Sequence, residues 1–201
     1  MTLVSIVCIR IILEPFVSEF GMNMPSNEHL PSATIADWDR ERKGVFTWSP
    51  SRSLLASLRS YQYWKSRGTL GWLLCKIAVI RHRFWSIVTG CDLPINADIG
   101  GGLLMPHPNG IVIHPTCKIG PNCLIFQQVT LGSNESNTRS GVPTLGGHVD
   151  VGAGARILGP ITIGDNAVIG ANAVVLTDVP ANAVAVGIPA RVILPANREV
   201  F

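Results

Sequence analysis

The chain has 201 residues, 47% of them hydrophobic and 14% charged, which is enough apolar material for one sizeable core and excludes a disordered chain. A net charge of +3 is too mild, taken over the whole chain, to predict a nucleic-acid partner. Twenty Gly and fourteen Pro beside many Val, Ile and Ala describe a chain that turns often yet stays apolar.

At the N-terminus, Leu3 to Leu13 is apolar apart from Ser5 and Arg10. It lacks a basic run before it and a cleavage site after it, and it is too short to span a bilayer. Met22 and Met24, followed by the polar stretch Pro25 to Ala33, predict the true start there, with residues 1–23 an extension. Cys8, Cys75, Cys91, Cys117 and Cys123 form no C-x-x-C pair and predict reduced thiols in a cytoplasmic protein. Residues 25–50, with the charged cluster Asp37, Asp39, Arg40, Glu41, Arg42 and Lys43, read as an extended arm or short helix, so that 1–50 is an N-terminal arm.

Residues 51–90 read as a helical pair. Ser51 is the expected N-cap of a first helix whose Leu54, Leu55, Leu58, Tyr61 and Trp64 share one face. Gly68 breaks the pattern, and a second helix is expected from about Leu70 to Gly90 with Leu73, Leu74, Ile77 and Ile80 inward. This zone holds Arg52, Arg59, Lys65, Arg67, Lys76, Arg81 and Arg83 and no acidic residue. Its aromatic and basic side chains suit either a neighbouring subunit or peripheral contact with an anionic substrate or membrane.

From Leu93 the period becomes six. Blocks open on Leu93, Ile99 and Met105, slip by two residues, then open on Ile113, Ile119 and Ile125. After an interruption following Gly132 they resume at Leu145 and continue through Val151, Ile157, Ile163, Ile169 and Val175. The fifth position is small or β-branched, as at Ala97, Cys117, Cys123, Val129, Val149, Ala155, Ile161, Ala167, Ala173 and Val179. A six-residue period fits neither a helix nor a hairpin strand; it fits a parallel β-helix in which three blocks close one coil, with Gly and Asn at the corners. Residues 91–192 would form this stack, with an extruded polar loop at 133–144 and a tail at 193–201.

The runs Asp92-Leu-Pro-Ile-Asn-Ala-Asp-Ile-Gly, His107-Pro-Asn-Gly-Ile-Val-Ile, Gln127-Gln-Val-Thr-Leu-Gly, Val151-Gly-Ala-Gly-Ala-Arg-Ile-Leu-Gly and Gly187-Ile-Pro-Ala-Arg resemble the hexapeptide-repeat acyltransferases, in particular their serine acetyltransferase-like group. The resemblance covers roughly Gly90 to Val192. It implies a mainly β fold, a left-handed parallel β-helix preceded by a short α-helical region, assembled as a homotrimer. It implies acetyl transfer from acetyl-CoA to a hydroxyl, with no metal. His107 matches the family's general base and Asp92 the carboxylate that pairs with it. Read without the resemblance, His107 is an exposed corner histidine and Asp92 a cap on the first coil. Ser133, Ala153 and Ala171 match positions that hold the donor's pantetheine, and Arg191 and Arg156 are placed to meet its phosphates. His114 and His148 match no chemical position.

Members that use serine carry Asp immediately before the catalytic His and an Arg-His pair late in the loop. Here those positions are Pro106, Gly141 and Val142. A free amino acid needs both charged ends satisfied, so the expected acceptor is a sugar hydroxyl of an exopolysaccharide or surface-glycan precursor. Serine is the alternative, with Arg139 reaching in from the loop. A zinc carbonic-anhydrase-like site built on His107, His114 and His148, and a non-catalytic solenoid, are weaker alternatives.

Overall fold

The computed structural model describes residues 31–44, 47–134 and 140–194. The extension expected over 1–23, Arg139, and the tail from 195 onward lie outside the described residues.

The arm runs along one corner of the coil stack and holds one turn of 3₁₀ helix, Trp38–Glu41, capped by Asp37 Oδ1, which accepts from Asp39 N at 3.0 Å. Asn122 pins it. This fully buried side chain accepts from Asp37 N at 2.8 Å through Oδ1 and donates through Nδ2 to the carbonyls of Ser32 and Ile35, both at 2.7 Å.

Helix α1 spans Pro50–Trp64 and α2 spans Gly68–Thr89. The N-cap of α1 is Ser49, not the expected Ser51, because Pro50 with its fixed φ occupies the first helical position. Leu54, Leu55 and Leu58 are buried as expected, each worth roughly 1.5–3 kcal/mol. The inward face of α2 differs from the expectation: Leu73, Ile77 and Ile80 are exposed, and Gly71, Ala78, His82 and Thr89 are buried. The reason is close approach. A Cβ at Gly71 would come within 2.6 Å of the Trp64 carbonyl oxygen, so the small-residue face packs on α1 and the bulky side chains turn outward. His82 stitches both helices to the first coil. Its Nδ1 lies 3.0 Å from Ser57 Oγ and its Nε2 lies 2.6 Å from the Leu93 carbonyl; a carbonyl only accepts, so Nε2 carries a hydrogen.

The coils form three parallel sheets. One holds β1 (Asp98–Ile99), β3 (Lys118–Ile119), β6 (Thr144–Leu145) and β9 (Thr162–Ile163). A second holds β4 (Leu124–Ile125), β7 (Asp150–Val151), β10 (Val168–Ile169) and β12 (Val184–Gly187), with β13 (Ala190–Ile193) added antiparallel as a hairpin. The third holds β2 (Val112–Ile113), β5 (Thr130–Gly132), β8 (Arg156–Leu158) and β11 (Val174–Val175). Every residue expected to open a block is buried, as is every small fifth-position residue, and together they make one continuous core. Left-handed backbone recurs at the corners, at Asn122, His148, Asn166 and Asn182 on one and at Gly110, Gln128, Gly154 and Asn172 on another. The loop leaves after Gly132 and returns at Gly141, which packs on Pro160.

Candidate active site

His107 stands on a corner that breaks the period, as does the corner that extrudes the loop after Gly132. In later coils three residues separate the buried opener from the buried fifth position, as between Ile125 and Val129 or Val151 and Ala155. Between Met105 and Ile111 there are five, Pro106 to Gly110. The two extra residues are the slip read from the sequence. They are accommodated by Pro106, by Pro108, whose carbonyl accepts from Ile111 N at 3.2 Å, and by Gly110 at φ 70°, a conformation that costs a side-chain-bearing residue about 1–2 kcal/mol. The result is a projecting turn on which His107 is exposed, with no side-chain hydrogen bond among the described residues.

Beside it opens a cavity of about 510 Å³, lined by Trp48, Ser51, Thr89, His107 and Asn109 among others. Trp48 packs edge-on against Trp85 with ring centroids 5.7 Å apart. Sequence reasoning missed Trp48, Ser51 and Thr89 as site residues. They come from the arm and the helix ends, and nothing in their spacing signals that they converge on the corner. Asn109 lies in the quoted His-Pro-Asn-Gly run and was findable there.

Asp92 lies in the ladder alongside the exit of this turn. Its N–H donates to the Ile111 carbonyl at 2.8 Å, and its carbonyl accepts from Ile113 N at 3.0 Å. Its side chain is exposed. The structure places Asp92 and His107 on neighbouring segments, since Gly110 N donates to Gly90 O at 2.8 Å, but no hydrogen bond joins the two side chains. Burial, with the Asp92 charge adding to it, pushes the adjacent Cys91 thiol up to about 12, so it stays protonated at neutral pH.

Above His107 the same corner continues as a column. Gln128 N donates to Asn109 O at 3.0 Å, Gly154 N to Gln127 O at 2.9 Å and Asn172 N to Ala153 O at 2.8 Å, so Asn109, Gln127, Ala153 and Ala171 occupy equivalent steps. At theirs, Ala153 is half-buried and Ala171 exposed, each with a one-carbon side chain. Among the described residues Gln127 Oε1 is buried without a hydrogen-bond partner, an orphaned acceptor that a ligand N–H on this corner would satisfy. Arg156 Nη1 is engaged by the carbonyls of Gln128 and Gly154. Arg191 is exposed on β13 opposite Val186, whose Cγ1 would be 2.7 Å from a Cβ at Gly170. Ser133 stands apart, at the loop corner on the far side of the third sheet, where Gly132 O accepts from Gly159 N at 3.0 Å. His114 sits on the same corner as Ser133, with its backbone N–H donating to Leu131 O at 2.8 Å, and His148 on the corner of Asn122; their rings are bonded to Thr116 and Asn166. Among the described residues no group of three His, Cys, Asp or Glu side chains is placed to hold a metal ion.

Comparison with known proteins agrees with this architecture. The bacterial transferase hexapeptide (six repeats) family matches residues 143–177. A serine acetyltransferase of Bacillus subtilis is 40% identical over 171 residues, 83% of this chain and 76% of that protein. One of Synechococcus elongatus is 47% identical over 107 residues, 53% of this chain and 44% of its own length; the chain thus spans less than half of that relative. Among solved structures, soybean serine acetyltransferase complexed with serine superposes with a TM-score of 0.61 at 35% identity, covering 73% of this chain and 58% of that one. The Brucella abortus serine acetyltransferase in complex with coenzyme A gives 0.62 at 29% identity over 73% and 56%. Period, topology and relatives together establish that the chain belongs to the serine acetyltransferase family of hexapeptide-repeat transferases, with its left-handed parallel β-helix.

Proposed function

We propose that this protein transfers an acetyl group from acetyl-CoA to a hydroxyl, with L-serine as the acceptor that its relatives favour. The observation that carries the reading is the lengthened corner, which presents an unpartnered His107 over a cavity at the foot of a column suited to a linear donor. His107 takes the proton of the acceptor hydroxyl as the oxygen attacks the thioester carbonyl, and returns it to the CoA thiolate as the tetrahedral intermediate collapses. Asp92, on the neighbouring segment, is assigned the orienting role. Ala153 and Ala171 let the donor's pantetheine approach the main chain, and Gln127 Oε1 accepts one of its amide N–H groups. Arg191 and Arg156 are assigned to the phosphates, and Ser133 to the donor's approach from the loop side. The relatives named serine acetyltransferase support serine over the sugar hydroxyl expected from Pro106, Gly141 and Val142.

One observation favours the sugar as a second reading. The cavity beside His107 is lined by an indole, an imidazole, hydroxyls, an amide and the apolar Pro50, Val88, Pro106 and Pro108, with no carboxylate, ammonium or guanidinium. A polyhydroxylated ring stacked on Trp48 matches that lining, whereas a zwitterion leaves two charges to be met from the loop or another subunit. The family's trimer, which would supply such a subunit, is part of the proposal. Release of CoA thiol, measured with L-serine against nucleotide sugars and with His107→Ala as the blank, tests both. Turnover unchanged in His107→Ala would remove the base assignment, and the acceptor that releases thiol decides between the readings.

A further inference from the structure

Helix α2 keeps its small residues inward and its large ones outward. Leu73, Ile77, Ile80, Phe84 and Ile87 form one stripe on the side away from α1, with Ile80 69% and Ile87 83% exposed. At 3.6 residues per turn they span about 80° of the helix surface, bordered by Lys76 and Arg83 on one side and Arg81 on the other. A contiguous apolar stripe on a protein surface marks something that covers it.

Charge indicates what. Between Glu41 and Asp92 the chain has nine Lys and Arg and no acidic residue, and of these Arg59 is engaged by Glu41 and Arg42 by Asp39. A second copy laid stripe against stripe would bring the three bordering cations toward their own kind. An anionic bilayer surface meets both features at once: acyl chains take the stripe, and headgroup phosphates take the flanking cations. At the N-terminal end of the helix, Lys76 sits 5.4 Å over the exposed Trp72 ring and Arg67 sits 3.8 Å over the Tyr63 ring, aromatic and cationic groups of the kind found at headgroup depth. A helix with this stripe and these flanking cations would lie along such a surface. With three cations along its length and one face on α1 it does not cross, and no described helix is long and apolar enough to do so.

We propose that the exposed face of α2 docks this protein on bilayers containing anionic phospholipid. The helix ends at Val88 and Thr89, which line the cavity beside His107, so docking brings the site toward the membrane surface, and it holds for either acceptor. The test is sedimentation of the full chain with vesicles of phosphatidylcholine alone and of phosphatidylcholine mixed with phosphatidylglycerol. Binding is expected to the mixed vesicles only, weakening as salt is raised. It should fall about fivefold for each of Lys76→Gln, Arg81→Gln and Arg83→Gln, and be lost in Ile80→Glu/Ile87→Glu. The charge variants carry the test if the double variant fails to fold. No sedimentation with the mixed vesicles at low salt overturns the proposal, as does equal binding to both vesicle types. A lipid-free oligomer that Ile80→Glu/Ile87→Glu takes apart also overturns it, assigning the stripe to another copy.

Discussion

Arg59 grips Glu41 through two hydrogen bonds, Nε to Oε2 at 3.0 Å and Nη2 to Oε1 at 2.9 Å, and the side chains are only 17% and 8% exposed. Glu41 Oε1 also accepts from the N–H groups of Gly102 and Leu103, while Arg59 donates to the carbonyls of Ile99 and Gly100. One ion pair therefore joins the arm, α1 and the first coil. Removing one member of a buried pair costs about 3–5 kcal/mol. Glu41→Ala should lower the free energy of unfolding by that order in denaturant titration. A loss below about 1 kcal/mol would show that the arm contributes little to the fold.

Asn122 combines a conformational and a bonding role, at φ 61° with three hydrogen bonds to the arm. Asn122→Gly keeps the backbone and loses the bonds, at about 1 kcal/mol each. Asn122→Ala adds the left-handed penalty of about 1–2 kcal/mol. Equilibrium unfolding should rank Ala below Gly by that margin, and equal stabilities would mean the corner relaxes.

The base assignment separates activity from stability. His107→Ala should lose about 10²- to 10⁴-fold in turnover, yet change stability by no more than about 0.5 kcal/mol, as expected at an exposed site without partners. A variant that loses both together would make His107 a structural residue.

Gln127 should show the opposite coupling. Replacing it with Met removes a buried acceptor that has no partner, which should raise stability by about 1 kcal/mol. If a donor amide meets Oε1 in the complex, the KM for acetyl-CoA should rise about tenfold, the equivalent of 1.4 kcal/mol. An unchanged KM would leave Gln127 outside the donor site.

Three buried thiols set an alkaline limit. Burial pushes Cys91 and Cys123 up to about 12 and Cys117 up to about 11, from an ordinary 9.0. Above pH 9 the unfolded chain ionises these groups and the folded one does not. Their contribution to stability is therefore complete below pH 9 and lost between pH 9 and about 12, at roughly 1.4 kcal/mol per thiol per pH unit. Unfolding measured at pH 8 and pH 10.5 should differ accordingly, and replacing Cys91 and Cys123 with Ala should flatten the dependence.

The coil stack was legible because a six-residue period leaves one orientation for Ile113, Ile119 or Ile157, and all three are buried. Even the lengthened corner was legible, as a slip of two residues. The face of α2 was not. Its sequence has two opposite faces without charge, so bulk pointed to Leu73 and Ile77 while packing selected Gly71 and Ala78 for the nearness they allow. The cavity was legible only through His107, because Trp48 reaches it by way of the arm and the Pro50 helix start, a path that leaves no spacing to read. The resemblance groups Ser133 with Ala153 and Ala171, yet the three-cornered path puts it on a different edge.

The two extra residues around His107 have a meaning beyond shape. A stack of like coils has near-translational symmetry, and any surface position recurs with little change at the next layer. Such an object offers a ligand many near-equivalent berths and no address. Along the column of Asn109, Gln127, Ala153 and Ala171, the longer turn between Met105 and Ile111 breaks that degeneracy once, so a donor laid over Gln127, Ala153 and Ala171 has one place where it is in register with the base. Removing two residues from that turn should leave the coils stacking as before and erase the address.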